Sequence, residues 1–162
     1  MLLHAYDRLD FDVEPLATAV GVRRDRAHRP TWRAQRELEA RTFVFVYGTL
    51  LFGERNHRHL VGARLVGEAR TQPAFQLHDL GPYPGLVAGG EHAVVGELYA
   101  VDEATLAALD RLEGTPDFYR RASIVLVDGT SAETYLLTPK QVAGHPVIVS
   151  GSWRARRKES VL

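Results

Sequence analysis

The sequence predicts an α+β domain, built as a small β-barrel with peripheral helices and preceded by an N-terminal extension. Many short segments have the apolar, β-branched composition of strands, whereas one segment has a clear helical pattern. Hydrophobic residues make up 45% of the chain and charged residues 25%, which is ordinary for a globular protein and argues against a wholly disordered one. A length of 162 residues suits one domain with an appendage.

The predicted strands begin near residue 42. Residues 43–47 are apolar at every position, which is typical of a strand buried on both faces. The same reasoning predicts strands over residues 64–79, 93–100, 122–128 and 133–138, with Asp128-Gly129 at the turn between the last two. The Gly- and Pro-rich residues 81–85 predict an irregular loop. The helical pattern covers residues 102–112, with Gly114 as its expected end.

Three segments follow from these patterns. Residues 1–41 have few large apolar side chains and form the extension, with short helices expected at 14–20 and 31–41. Residues 42–154 form the domain, and residues 155–162 form a basic C-terminal tail. The extension is expected to pack across the domain, to mediate self-association or to restrict a pocket.

Composition excludes several classes of function. The chain has no cysteine, so it has no disulfide, cysteine nucleophile or thiolate metal site. A pI near 7.1 argues against general binding of nucleic acid. His57 and His59 would lie on different faces of a helix without an acidic partner nearby, so no metal site is expected. With no apolar run of about 20 residues and no visible signal sequence, we expect a cytoplasmic protein without a membrane span.

Glu113 is the first candidate functional residue. On a helical wheel it falls between Leu106 and Leu109, the apolar side of the predicted helix, so its carboxylate points toward the core. Burial raises the pKa of a carboxylate and prepares it for acid–base work near neutral pH. The alternative is that Glu113 lies at a fraying helix end, where it bends to solvent or caps neighbouring backbone.

The second candidate is the segment Tyr47-Gly48-Thr49-Leu50, which follows the buried strand directly. A glycine there permits a turn with positive φ, and consecutive N–H groups can then face one anionic or carbonyl oxygen. The alternative is an ordinary turn at the end of a strand. The segment is not a phosphate-binding loop of the Walker type, because Gly53 is followed by Glu54 where that motif needs lysine.

Together these features resemble the gamma-glutamylcyclotransferase-like family, which includes gamma-glutamylamine cyclotransferases and plant avirulence-induced proteins. The segment Tyr47-Gly48-Thr49-Leu50 is similar to the opening motif of the family. Other similar motifs follow in the family's order, namely Asn56-His57 with Leu60, Tyr83-Pro84-Gly85-Leu86, Gly96-Glu97-Leu98-Tyr99 with Val101-Asp102, Leu109-Asp110-Arg111-Leu112-Glu113-Gly114 with Tyr119 and Arg121, and Ser150-Gly151-Ser152-Trp153-Arg154. Ser152 stands where aspartate is more usual. The resemblance covers residues 42–154.

The resemblance implies a fold, a reaction and roles for individual residues. The fold would be a small mixed β-barrel with helices outside. The reaction would be cyclisation of a γ-glutamyl amine or γ-glutamyl amino acid to 5-oxoproline with release of the free amine, without a metal or organic cofactor. Glu113 aligns with the catalytic glutamate, and the backbone of Tyr47, Gly48, Thr49 and Leu50 would hold the glutamyl group. Tyr119 would close the pocket, with a plain core tyrosine as the alternative, and Asp110 would have a structural hydrogen-bonding role.

Two other functions remain open at the level of sequence. The chain is alternatively a non-catalytic small-ligand-binding or stress-response module of the same fold, or an enzyme that removes a γ-glutamyl protecting group from a biosynthetic intermediate. The expected partner is in each case a small molecule, with no nucleic acid and no membrane. The chain is expected to be a monomer or a homodimer.

Overall fold

The computed structural model describes residues 41–156, which contain seven β-strands, one α-helix and one short 3₁₀ helix. The strands are β1 Thr42–Val46, β2 Arg64–Arg70, β3 Phe75–Asp79, β4 Pro84–Ala88, β5 Val95–Val101, β6 Arg120–Val125 and β7 Ser131–Leu136. The α-helix, α1, is Glu103–Leu112, and the 3₁₀ helix is His57–Leu60. The helices predicted at 14–20 and 31–41 and most of the predicted tail lie outside the described residues.

Five of the strands form one mixed sheet in the order β2-β5-β1-β7-β6. The central strand β1 is antiparallel to β5 and parallel to β7, with Val44 opposite Glu133. Strands β3 and β4 form a separate antiparallel pair. The predicted α+β class is confirmed. Residues 44–47 are buried as predicted, because β1 has a strand on each side and the core against its side chains, whereas Phe43 near its start is 40% exposed.

The predicted barrel is wrong, because the five-stranded sheet does not close. Its edge strands β2 and β6 share no ladder, and the chain segments just beyond them meet at one isolated bridge between Thr71 and Leu126. The amide of Thr71 donates to the carbonyl of Val94, at 3.0 Å, so the chain beyond β2 stays bonded to the segment before β5, and the amide of Val127 donates to the carbonyl of Arg70 at 3.0 Å without extending into a ladder. The edge strand β2 also keeps Leu65 and Val66 about half exposed, so little apolar burial favours a continuous closure there.

Two predicted segment boundaries also need correction. The single strand expected over residues 64–79 is divided into β2 and β3, and Pro73 lies in the gap, where it cannot donate to a ladder. Residues 81–85 are not wholly irregular, because Pro84 begins β4 and pairs with Asp79 of β3. Pro84 is tolerated at this position because it is the first residue of its strand.

Helix α1 forms as predicted and ends beside the core. The carboxylate of Asp102 caps its first turn by accepting from the amide of Thr105 at 2.8 Å. Leu109 is completely buried and fixes the apolar side of the helix against the sheet. Gly114, with φ of +64°, ends the helix in a conformation that favours glycine. Within residues 41–156 no helix combines the length and apolarity that a bilayer span needs.

Candidate functional site

A cavity of about 230 Å³ lies at the end of the central strand β1. Three parts of the chain enclose it: the end of β1 with the loop after it, the start of β4, and the end of α1 with the segment that leads to β6. Its lining residues are Phe45, Val46, Tyr47, Gly48, Thr49, Leu50, Arg55, Asn56, Tyr83, Pro84, Leu112, Glu113, Phe118, Tyr119 and Tyr135. All six residues that the sequence analysis put in the site, Glu113, Tyr47, Gly48, Thr49, Leu50 and Tyr119, line this one cavity.

The loop after β1 brings unpaired backbone donors to the cavity. The amides of Gly48, Thr49 and Leu50 have no hydrogen-bond acceptor within residues 41–156. The loop is held by its own bonds, since the amide of Asn56 donates to the carbonyl of Thr49 at 2.9 Å and the Asn56 side chain donates to the Thr49 hydroxyl at 3.0 Å. Three consecutive free amides on a fixed loop can bind an anionic or carbonyl oxygen.

Gly48 is required here for a different reason from the predicted one. It does not adopt a positive φ. A Cβ atom at Gly48 would instead overlap Cγ of Pro84 and lie 2.8 Å from its Cδ. The absent side chain therefore allows β4 to approach the loop, and this contact sets the width of the cavity between its first two walls. A sequence pattern could not reveal it, because Pro84 is remote in the chain.

Glu113 is the residue after the last turn of α1, where its amide donates to the carbonyl of Leu109 at 2.9 Å. Its own carbonyl accepts from the amide of Tyr119 at 3.2 Å, which folds the following segment back over the cavity. The side chain is partly buried and makes no hydrogen bond or ion pair with residues 41–156. Burial without a compensating donor raises the pKa of the Glu113 carboxyl to about 7.

Three tyrosines near Glu113 donate their hydroxyl protons elsewhere. Tyr47 donates to the carbonyl of Tyr135 at 2.6 Å, Tyr119 to the carbonyl of Pro84 at 2.6 Å, and Tyr135 to Asp110 Oδ1 at 2.8 Å. Burial raises the pKa of each phenol, and the negative charge of Glu113 raises it further. The phenols therefore stay protonated and supply the cavity with a neutral wall that does not neutralise Glu113.

The same bonds account for Asp110 and Tyr119. Asp110 accepts from Tyr135 and also from Arg121, at 2.9 Å, so it holds α1 against β6 and β7. This matches the structural hydrogen-bonding role expected for it. Tyr119 combines both of its predicted alternatives, since it is a buried tyrosine whose ring also lines the cavity.

A second acidic residue, Glu97 of β5, supports the loop from outside the cavity. Its carboxylate accepts from the amide of Phe52 at 2.9 Å, from the hydroxyl of Tyr99 at 3.0 Å and from Arg154 at 3.0 Å. Arg154 also donates to the carbonyl of Phe52 at 2.6 Å. Glu97 and Arg154 thus bind the backbone N–H and C=O groups of Phe52 and fix the far end of the loop that begins at Gly48.

Nine of the fifteen residues that line the cavity were not predicted as site residues, among them Arg55, Tyr83, Phe118 and Tyr135. Tyr83 and Phe118 pack edge to face at 5.9 Å and form the aromatic rim with Tyr119. Tyr83 lies in a motif that the resemblance contained, which was a usable signal. Arg55 and Phe118 lie in segments whose local pattern indicates only a turn.

Histidines do not form a metal site in the described part of the chain. No group of three or more His, Asp or Glu side chains between residues 41 and 156 has the arrangement to hold an ion. His57 contacts the rings of Phe52 and Tyr99, and its Nδ1 lies 3.1 Å from the carbonyl of Leu50. It therefore packs against the loop rather than facing the cavity.

The geometry agrees with a match to a protein family. The family described as gamma-glutamyl cyclotransferase, AIG2-like, matches residues 44–155. The chain belongs to this family. The match begins in β1, ends after Trp153, and so includes every residue of the cavity.

Relatives and solved structures of the gamma-glutamyl cyclotransferase family agree with this assignment. A Vibrio cholerae protein provisionally named gamma-glutamylcyclotransferase is 48% identical over 118 residues, which cover 70% of this chain and 96% of that protein. The bovine gamma-glutamylaminecyclotransferase is 40% identical over 95 residues, covering 50% of this chain and 54% of the bovine one. The crystal structure of an AIG2-like protein from Mus musculus has a TM-score of 0.60 at 29% identity, covering 66% of this chain and 85% of the mouse chain.

Proposed function

We propose that this protein cyclises a γ-glutamyl amine or γ-glutamyl amino acid to 5-oxoproline and releases the free amine. The observation that carries the proposal is the partly buried Glu113 carboxylate, with a pKa near 7, in the same cavity as three unpaired amides. The reaction needs one group that takes and gives protons near neutral pH and one site that opposes negative charge on oxygen. The cavity contains one of each.

Glu113 acts as the general base and then as the general acid. The α-amine of the substrate is mostly an ammonium ion at pH 7 and must lose a proton before it attacks. Ionised Glu113 takes that proton, and the neutral amine adds to the γ-carbonyl carbon. The protonated carboxyl then delivers the proton to the nitrogen that departs. The second proton of the attacking nitrogen follows the same route, so the leaving amine gains the two protons that the ring nitrogen loses.

The loop after β1 stabilises the intermediate. When the amine adds, the γ-carbonyl oxygen becomes an oxyanion, and the amides of Gly48, Thr49 and Leu50 supply donors to it. Because the nucleophile and the electrophile belong to one molecule, the cavity need only bind the substrate in a folded, near-attack shape. The neutral aromatic wall formed by Tyr47, Tyr119 and Tyr135 keeps water out and keeps the pKa of Glu113 high.

A panel of γ-glutamyl compounds tests the proposal. Purified protein is incubated with γ-glutamyl amines, γ-glutamyl dipeptides and glutathione, and release of 5-oxoproline is measured by chromatography. We expect turnover of at least one γ-glutamyl amine or amino acid, and its loss in the Glu113→Gln variant. Binding of these compounds without release of 5-oxoproline would instead establish the alternative, a non-catalytic ligand-binding module. Release that is equal in the wild type and in Glu113→Gln would exclude Glu113 as the acid–base group.

A further inference from the structure

The cavity contains two charged side chains of opposite sign among the described residues that line it. One is Glu113, and the other is Arg55, on the turn that closes the loop after β1. The Arg55 side chain is exposed and makes no ion pair or hydrogen bond with residues 41–156. It makes no ion pair with Glu113 either. The cation and the anion therefore stand apart on different walls of one cavity.

The backbone on both sides of Arg55 is fixed. The amide of Asn56 donates to Thr49 at 2.9 Å, and the amide of His57 donates to the carbonyl of Glu54 at 3.1 Å. The Asn56 side chain adds a bond to Thr49. Because these bonds tie the turn to the loop of free amides, the backbone of Arg55 has a defined position next to that loop, and its long side chain extends from there to the cavity.

The proposed substrate carries the matching charges. A γ-glutamyl group has an α-ammonium, which must reach Glu113, and an α-carboxylate on the same carbon. A carboxylate that enters a partly buried cavity without a counter-charge loses hydration that nothing replaces. A guanidinium is the side chain best suited to bind it, since its donors form a planar fork that matches the two carboxylate oxygens.

We propose that Arg55 binds the α-carboxylate of the substrate and of 5-oxoproline, which makes the cavity specific for a free α-amino acid. The inference rests on the proposed cyclisation for the placement of the ammonium, and it adds the residue that recognises the α-carboxylate. Compounds with an esterified or absent α-carboxylate bind weakly, whatever amine they carry on the γ-carbonyl. Arg55 is thus a specificity-determining residue that takes no part in proton transfer.

Binding of two small ligands provides the direct test. 5-Oxoproline has the carboxylate, and 2-pyrrolidone is the same lactam without it. Their dissociation constants are measured by calorimetry or ligand-observed NMR for the wild type, Arg55→Gln, Arg55→Lys and a control, Arg58→Gln. Arg58 is an exposed arginine three residues further along that does not line the cavity. Its glutamine variant loses the same net charge as Arg55→Gln and is therefore a matched control.

We expect Arg55→Gln to weaken 5-oxoproline binding about 10–100-fold and to leave 2-pyrrolidone binding unchanged. Arg55→Lys should be intermediate, because it keeps the charge and loses the bidentate geometry. Arg58→Gln should match the wild type. If Arg55→Gln and Arg58→Gln weakened 5-oxoproline binding equally, the effect would come from the overall charge of the protein, and the proposal would be overturned. Equal weakening for both ligands, or no binding of 5-oxoproline by the wild type, would also overturn it.

Turnover separates this inference from the reaction on which it rests. With a γ-glutamyl anilide, Arg55→Gln should raise KM about 10–100-fold with a smaller change in kcat. With the matching 4-aminobutyryl anilide, which cyclises to 2-pyrrolidone, the wild type and Arg55→Gln should be equally poor. If 5-oxoproline binds in an Arg55-dependent way and no γ-glutamyl compound turns over, the reaction is wrong and the carboxylate site remains. If turnover depends on Glu113 and not on Arg55, the reaction remains and the carboxylate site is wrong.

Discussion

Glu113 and Glu97 are two acids near opposite ends of one loop, the first partly and the second largely buried, and their surroundings differ completely. Glu97 is 9% exposed, and its carboxylate receives hydrogen bonds from a backbone amide, a phenol and a guanidinium. Glu113 receives none within the described residues, and its tyrosine neighbours donate their protons to other groups. The first environment makes Glu97 an acceptor that joins three parts of the structure, whereas burial without a donor raises the pKa of the Glu113 carboxyl. Burial alone therefore does not distinguish a structural carboxylate from a reactive one, but the donors around it do.

Replacing each acid by glutamine gives the largest expected contrast. Glu113→Gln should lower kcat about 10²–10⁴-fold, because an amide can neither take nor give the proton, and should leave the fold intact. Glu97→Gln should retain most of kcat, because it removes no group from the cavity. The measurement is 5-oxoproline release at saturating substrate, with circular dichroism as a check on folding. A loss of kcat in Glu97→Gln as large as in Glu113→Gln would remove the distinction between the two acids.

The pH profile tests the reactive state of Glu113. Because burial raises the pKa of this carboxyl to about 7, the ionised base is lost as pH falls through 7. We expect kcat/KM to decrease about tenfold per pH unit well below that point, so that kcat/KM at pH 5 is about 100-fold lower than its plateau above pH 8. Initial rates from pH 5 to 9 with one substrate provide the measurement. An acid limb near pH 4.5, as for an ordinary glutamate, would contradict the role of the unpaired environment.

The fully bonded environment of Glu97 should appear in stability. Glu97→Gln places an amide group where three donors converge and leaves Arg154 without its partner. We expect a loss of about 1–3 kcal/mol in the free energy of unfolding, together with a higher KM, because the loop loses its attachment. Urea denaturation at pH 7 measures the first effect, and initial rates measure the second. Arg111→Gln is a suitable control, since this exposed arginine has no ion pair with the described residues. Wild-type stability in Glu97→Gln would show that the cluster does not hold the loop.

For Glu113→Gln we expect a smaller change in the free energy of unfolding, and one of opposite sign, namely a gain in stability. Its folded-state pKa lies above the usual 4.5, so the native state binds more protons than the unfolded state between about pH 4.5 and 7. The cost of ionising Glu113 is therefore absent at the acid end of this window and complete above pH 7. Relative to wild type, Glu113→Gln should gain about 1–2 kcal/mol of stability between pH 5 and pH 8. Urea denaturation of both proteins at the two pH values measures the gain. The same change in the free energy of unfolding with pH in both proteins would refute it.

The local sequence pattern was enough to predict the position of Glu113, but it could not predict whether the sheet closes into a barrel. The position of Glu113 depends on helical periodicity within α1, and Asp102, Leu109 and Gly114 fix the register of that helix over a short distance. The failure of the barrel depends on whether β2 and β6 pair, and the segments just beyond them share a single isolated bridge, between Thr71 and Leu126. The sequence segments near the edges are strand-like in either case. Strand content was thus predictable, and closure was not.

The same division holds within the site. The motif around Tyr47 pointed to free amides because a strand ends there, which is a local event. It did not show that Arg55 shares the cavity, because that follows from how the turn folds back on Thr49. Nor did it show that Glu97 holds Phe52, since this bond joins residues far apart in the chain. Residues that act through non-local contacts carry little signal in a single sequence.

The contact between Gly48 and Pro84 makes these two positions interdependent during divergence. A side chain at residue 48 overlaps the proline ring, so it can be accommodated only if the ring is removed first or the loop after β1 moves away from β4. Pro84→Ala removes the Cγ and Cδ atoms and so permits a later Gly48→Ala, whereas the reverse order passes through an overcrowded intermediate. Substitution of Pro84 before Gly48 avoids the steric overlap, whereas the reverse order does not, so sequence change at this wall of the pocket has a preferred order.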